Sequence, residues 1–130
     1  MPNISAGGDF LQIFKFQKDE SIPGRVLSSA KIGDVYMARI TIAPGQVTGN
    51  KYHKETRRMF YVARGRVRGV FENISTKERR ELLIEPLKQA FHLPENVALA
   101  FKNEGKGEAV IIFFSNKPVR SDDNFEYKLL

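Results

Sequence analysis

The sequence predicts an all-β domain with little or no helix. Short apolar runs, alternating or continuous, recur along the whole chain. Turn-forming residues separate them at intervals that suit a sandwich or barrel. No segment sustains a helical apolar period with caps, one turn near Pro86 to Gln89 excepted.

In chain order, the first run is Phe10 to Phe16, aromatic and apolar residues interleaved with polar ones, closed by the turn signal Ile22-Pro23-Gly24. Val35 to Ile42 is rich in β-branched side chains, which pack well on a pleated surface, and ends at Ala43-Pro44-Gly45. Met59 to Ala63 and Val67 to Phe71 flank Ala63-Arg64-Gly65, the pattern of two strands joined by a tight turn. Leu82 to Ile84 follows the turn Asn73-Ile74-Ser75-Thr76. Val97 to Phe101 lies between Leu93-Pro94-Glu95-Asn96 and Asn103-Glu104-Gly105, and Ala109 to Phe114 is the last strong run. The tail, residues 116–130, is polar and then alternates Phe125, Tyr127, Leu129 and Leu130, as a last strand or a strap packed on the body would. Such a strap, if exposed, would offer a dimer contact.

The 130 residues read as one domain, 1–130, long enough to bury about two thirds of the unfolded surface around a single core. Composition is globular, 42% hydrophobic and 28% charged. No apolar stretch approaches the roughly 20 residues of a membrane helix, so a soluble protein without membrane partners is expected. The opening MPNISAGGDF lacks a basic then apolar export signal, which makes the cytoplasm the expected location. Absence of cysteine excludes disulfides, thiolate metal sites and thiol nucleophiles together. A net charge of +6 favours anionic partners, but the basic residues are scattered rather than gathered into a tail or long face, which disfavours nucleic acid and leaves a nucleic-acid-binding β-barrel as a reading from charge alone.

Two segments carry a family resemblance. Pro44-Gly45-Gln46-Val47-Thr48-Gly49-Asn50-Lys51-Tyr52-His53-Lys54, continuing to Phe60-Tyr61-Val62-Ala63-Arg64-Gly65, resembles the first cupin motif, a Gly before a His-x-His pair and a strand running to a Gly turn. Phe91-His92-Leu93-Pro94-Glu95-Asn96 to Asn103 resembles the second. The Gly-Asn-x-x-His version, with Ser115-Asn116-Lys117-Pro118 before Asp122-Asp123, is similar to polysaccharide-biosynthesis cupins such as the dTDP-4-dehydrorhamnose 3,5-epimerase and dTDP-sugar ketoisomerase relatives, over roughly residues 32–127. The resemblance implies a double-stranded β-helix, or jelly-roll barrel, working as a homodimer on a nucleotide-linked keto sugar.

Departures from the motif shape the site. The four positions that hold a metal ion in other cupins are here Lys51, His53, Arg58 and Leu99. One imidazole flanked by two cations is a poor ligand set for a divalent ion, so neither a metal nor another cofactor is expected. Strand alternation puts Lys51 with His53 on one face and Arg58 with Phe60 and Val62 on another, lining an anion-friendly barrel mouth. The resemblance implies that His53 is the base, Lys51 or Arg58 the enolate stabiliser, and Tyr61, Tyr52 or Tyr36 the proton donor. Asn50 is a further candidate ligand contact. Arg66 and Arg68 could grip a diphosphate, though such a row is more often a solvated face. His92 reads as structural or solvent-facing and the phenylalanines as core. A non-catalytic cupin binding a nucleotide sugar or another small anion is the alternative function.

Overall fold

The computed structural model describes residues 3–5, 11–118 and 122–130. They form thirteen strands: β1 (Asn3–Ser5), β2 (Gln12–Phe14), β3 (Gln17–Asp19), β4 (Arg25–Ile32), β5 (Val35–Ile42), β6 (Val47–Tyr52), β7 (Arg58–Arg64), β8 (Val67–Asn73), β9 (Arg79–Ile84), β10 (Ala90–Leu93), β11 (Val97–Asn103), β12 (Ala109–Ser115) and β13 (Phe125–Glu126). A six-stranded sheet runs β10-β7-β12-β5-β4-β3 and a five-stranded sheet β13-β6-β11-β8-β9, while β1 and β2 pair separately. Every ladder is antiparallel, and chain neighbours repeatedly cross between sheets, as in a jelly-roll barrel. Among the described residues no helix is long and apolar enough to cross a membrane.

The expected runs at Val35–Ile42, Val67–Phe71, Val97–Phe101 and Ala109–Phe114 fall within β5, β8, β11 and β12. Within the first run only Gln12–Phe14 is a strand of the described residues, and Phe10 lies outside them. The structure adds β4, β10 and β3, and it begins β9 at Arg79. At Pro86 to Gln89 the chain makes a turn, not a helix, with Leu87 in the left-handed region at φ 62°.

Strand parity builds the core. On β7, Phe60 and Val62 are buried while Met59 is exposed, so one face of the strand points between the sheets. Phe60 sits at the centre, its ring 4.9 Å from Phe91, 5.1 Å from Phe101 and 5.3 Å from Phe113. Leu99, Ile111, Ile42 and Val67 complete the interior. Phe60, Phe71, Phe91, Phe101 and Phe113 are thus core, but Phe16 is 53% exposed.

A second apolar cluster lies on the outer face of the five-stranded sheet. There Tyr127, Leu129 and Leu130 of the terminal strap cover Val70, Ala98 and Ala100, and Tyr52 stacks on Phe125 at 5.4 Å. The strap is therefore packed on its own domain, with Leu129 only 7% exposed, and is not the free apolar contact that an exposed tail would make.

Two glycines make the sheet geometry possible. Gly65, at φ 95°, turns β7 into β8 where a Cβ would lie 2.8 Å from Ala109 Cα. Gly49, also at φ 95°, lies against β11, where a Cβ would come 2.7 Å from the carbonyl oxygen of Leu99. Next to it, Asn50 is the extra residue of a bulge, since Leu99 faces Lys51 and Ala100 faces Gly49.

Candidate functional site

Where β6 leaves the five-stranded sheet and the chain crosses to β7, the loop of residues 53–57 closes one end of the barrel. His53 and Thr56 on this loop are buried. Its shape is set from a distance. The Asp123 carboxylate accepts the amide N–H of Lys54 at 2.7 Å and of Glu55 at 2.6 Å, and the Thr56 hydroxyl at 2.9 Å. Asn116 Oδ1 accepts the Arg57 N–H at 2.9 Å, and the His53 carbonyl accepts the Asn96 N–H at 2.7 Å.

Beneath the loop is a narrow cavity of about 50 Å³. Its walls are apolar, from Ala38, Ile40, Phe113 and Pro118, and its polar groups come from His53, Thr56, Arg58, Ser115 and Lys117. Arg58 enters from the inward face of β7 and lies over the Phe113 ring. Burial pulls its pKa down to about 10, and no carboxylate of the described residues pairs with it. Lys117 is tied to Glu55 at 3.0 Å on the rim.

His53 Nδ1 is hydrogen-bonded to the backbone carbonyl oxygen of Asp123. A carbonyl only accepts, so Nδ1 carries the proton and Nε2 of the neutral ring keeps its lone pair. Burial first, and then the Arg58 and Lys51 charges, lower the imidazole pKa, against an upward pull from Asp123. The ring is therefore neutral at pH 7. The Asp123 carboxyl itself is held below the ordinary range: burial opposes ionisation, but the three donors from the loop outweigh it.

The structure brings His53 and Arg58 into one cavity. Lys51 shares the inward face with its register partner Leu99 and is close enough to oppose protonation of His53, but it is not part of the lining. Tyr61 alternates with Phe60 and Val62 and so projects from the outer face of the six-stranded sheet. Tyr52 is packed under the strap. Tyr36 shares the inward face with Ala38 and Ile40 and stands opposite Ser115 in register, at the cavity end of β5.

Asn50 is committed to the strap: its side chain accepts the N–H groups of Leu129 at 2.7 Å and Leu130 at 3.0 Å and donates to the Leu130 carbonyl at 3.1 Å. Arg66 is exposed in the β7–β8 turn and Arg68 is paired with Glu104 at 2.8 Å and Glu81 at 3.5 Å. Arg66 lies past the opposite end of β7 from Arg58, about 20 Å away by strand rise, and Arg68 lies on β8 in the other sheet. His92 is exposed and 3.5 Å from Arg57 Nη2.

Asp123, Thr56, Ser115 and Lys117 are the site residues to which sequence reading gave no role. Ser115, Lys117 and Asp123 do stand in the segments that carry the family resemblance, but strand alternation gives them no place beside His53. As for a metal, the converging positions Lys51, His53, Arg58 and Leu99 supply a single imidazole nitrogen and two cations, a donor set that does not fit a divalent ion. Among the described residues, no three His, Cys, Asp or Glu side chains gather elsewhere.

The family model for cupins matches residues 27–125. No curated protein matches the sequence significantly. Among solved structures, the fold is similar to the capsular polysaccharide assembling protein CapF from Staphylococcus aureus, with a TM-score of 0.78 at 18% identity over 90% of this chain and 34% of that one. It is similar also to AerE from Microcystis aeruginosa, with a TM-score of 0.68 at 13% identity over 87% and 53%, respectively. An oxalate oxidase in complex with glycolate gives 0.65 at 19% identity over 76% and 54%. This chain thus spans about a third of the length of the CapF chain. With the matched segment running from the core strand β4 to β13 and two antiparallel sheets enclosing one interior, the chain belongs to the cupin family.

Proposed function

We propose that this cupin is a metal-independent epimerase or ketoisomerase acting on a nucleotide-linked keto sugar in polysaccharide precursor synthesis. The observation that carries the reading is the pairing, in one cavity, of a neutral imidazole with a free lone pair and a desolvated guanidinium without a carboxylate partner. His53 Nε2 would remove a proton from the carbon next to the ketone. Arg58 would stabilise the enolate oxygen, an interaction strongest where water is excluded. Tyr36, outside the lining but opposite its Ser115 in register on the inward face of β5, would return a proton.

The cavity admits the reacting carbonyl end of a ligand, and the rest of the molecule lies at the mouth. A positive mouth suits a diphosphate. The polysaccharide setting is supported by the resemblance of the motifs and by the name of the S. aureus protein that shares the fold. A homodimer belongs to the same proposal, supported by Ile32, Val35 and Met59, large apolar side chains left 41%, 46% and 54% exposed.

Solvent deuterium incorporation into a dTDP-4-keto-6-deoxy sugar tests the reaction. Label entering with wild type and absent with His53→Ala supports it. Sugar that binds without ever acquiring label favours the second reading, a non-catalytic module for nucleotide sugars or other small anions. That reading draws support from the cavity lining, which contains no phenol among the described residues.

A further inference from the structure

The carboxylate and the carbonyl of Asp123 do different work on the same loop. The carboxylate is held by three donors from residues 54–56. The carbonyl, on the same residue, meets Nδ1 of His53, the first residue of that loop. Histidine and partner are thus closed into one small ring of chain, in which neither moves without the other.

The segment bearing Asp123 is itself anchored further on. Asn50 takes the N–H groups of Leu129 and Leu130, the Asn50 carbonyl takes the Tyr127 N–H at 2.8 Å, and Arg79 Nη2 donates to the Leu129 carbonyl at 3.2 Å. The Tyr127 hydroxyl donates to the Glu72 carboxylate.

From this geometry we propose that Asp123 is the positioning residue of the cavity, fixing through the terminal segment both the ring orientation of His53 and which of its nitrogens carries the proton. The proposal rests on the reading of His53 as the base. A carbonyl partner differs from the more familiar carboxylate partner in a way that matters. It orients the ring and sets the tautomer as firmly, yet it brings no full negative charge onto Nδ1 to favour the imidazolium. Burial, and then Arg58 from β7 and Lys51 from β6, disfavour the charged ring, while the hydrogen bond to the Asp123 carbonyl and the Asp123 charge favour it; Lys117 on the rim is paired with Glu55 of the loop, and Glu126 stands across the ladder from Lys51. The result is an acceptor nitrogen that stays available at neutral pH.

No substitution removes a backbone carbonyl, so a variant at position 123 can disturb the tautomer only by releasing the loop. This gives the test. The full chain carrying His92→Gln, which leaves His53 as its sole histidine, is labelled with ¹⁵N-histidine and observed by NMR without ligand. Expected is a protonated Nδ1 and an unprotonated Nε2 across neutral pH, relaxing to a mixture of tautomers in Asp123→Ala and staying intermediate in Asp123→Asn, which keeps one acceptor oxygen.

If Asp123→Ala does not fold, the intermediate state of Asp123→Asn carries the same conclusion. Nε2–H in the unsubstituted loop, or a tautomer indifferent to both variants, overturns the proposal. In the deuterium assay Asp123→Ala should lower kcat about 100-fold with little change in KM, as expected when a reacting group is displaced by about an ångström. Fixed Nδ1–H without isotope incorporation in any protein overturns the catalytic reading instead and leaves the positioning role standing.

Discussion

Arg58 lies over the face of Phe113, its guanidinium carbon 5.8 Å from the ring centroid, in a cavity where His53 is the other ionisable group of the inner wall. Aromatic contact offsets part of the cost of burying a cation but does not neutralise it. An anion that enters the cavity finds its charge already waiting.

The first expectation concerns that unpaired charge. Arg58→Met keeps the stem and removes the guanidinium, and should raise stability by about 1 to 3 kcal/mol. Thermal unfolding with and without millimolar inorganic phosphate checks it. Wild type should gain from phosphate and the variant should not; a fall in the midpoint of ligand-free Arg58→Met would show that the charge is compensated.

A second expectation is a pH dependence. The folded imidazole of His53 has a pKa below its ordinary value of 6.5, so the unfolded chain binds the proton more readily. Stability should therefore be fully present above about pH 6.5 and fall as pH drops from there towards the folded pKa. Urea midpoints measured from pH 5 to 8 give the slope. The slope should flatten in His53→Gln, and an unchanged slope would assign it elsewhere.

For the strap, Asn50→Ala removes three hydrogen bonds to Leu129 and Leu130 and puts alanine at φ 59°. The combined loss should be about 2 to 4 kcal/mol. Asn50→Gly loses the same bonds without the backbone strain, so it should be about 1 kcal/mol less damaging. Equal midpoints for the two variants would show that the bulge conformation carries no cost.

Asn103 gives a fourth, remote from the cavity. It is fully buried, donating to the carbonyls of Ile42 and Gly107, each at 2.9 Å, and accepting the Gly105 N–H at 2.9 Å. Asn103→Leu has nearly the right volume but orphans those groups, at a cost of about 2 to 4 kcal/mol. Chemical denaturation measures it, and a cost under about 1 kcal/mol would mean that water reaches the carbonyls.

How much of this was legible in the sequence differs from element to element. β5, β8, β11 and β12 announce themselves because apolar residues, many of them β-branched or aromatic, run through them either alternately or continuously between clear turn signals. β4 does not, because its two buried residues, Leu27 and Ala30, point to opposite faces and are separated by serines. The inward placement of Lys51 and Arg58 followed from motif spacing, and parity with Phe60 places Tyr61 on the other side of the sheet. The tie between His53 and Asp123 was not legible: it joins residues 70 positions apart through a main-chain oxygen that every residue possesses.

That tie also orders events in time. The six-stranded sheet, including the pairing of β7 with β12, needs nothing beyond Ser115. The six-stranded sheet can therefore form before the segment of Asp123 docks, with the imidazole free to carry its proton on either nitrogen, whereas the five-stranded sheet gains its edge strand β13 only with that segment. The protonation pattern on which the cavity depends is set only when the segment of Asp123 docks on the 53–57 loop, making chemical competence a separate event from the collapse of the core.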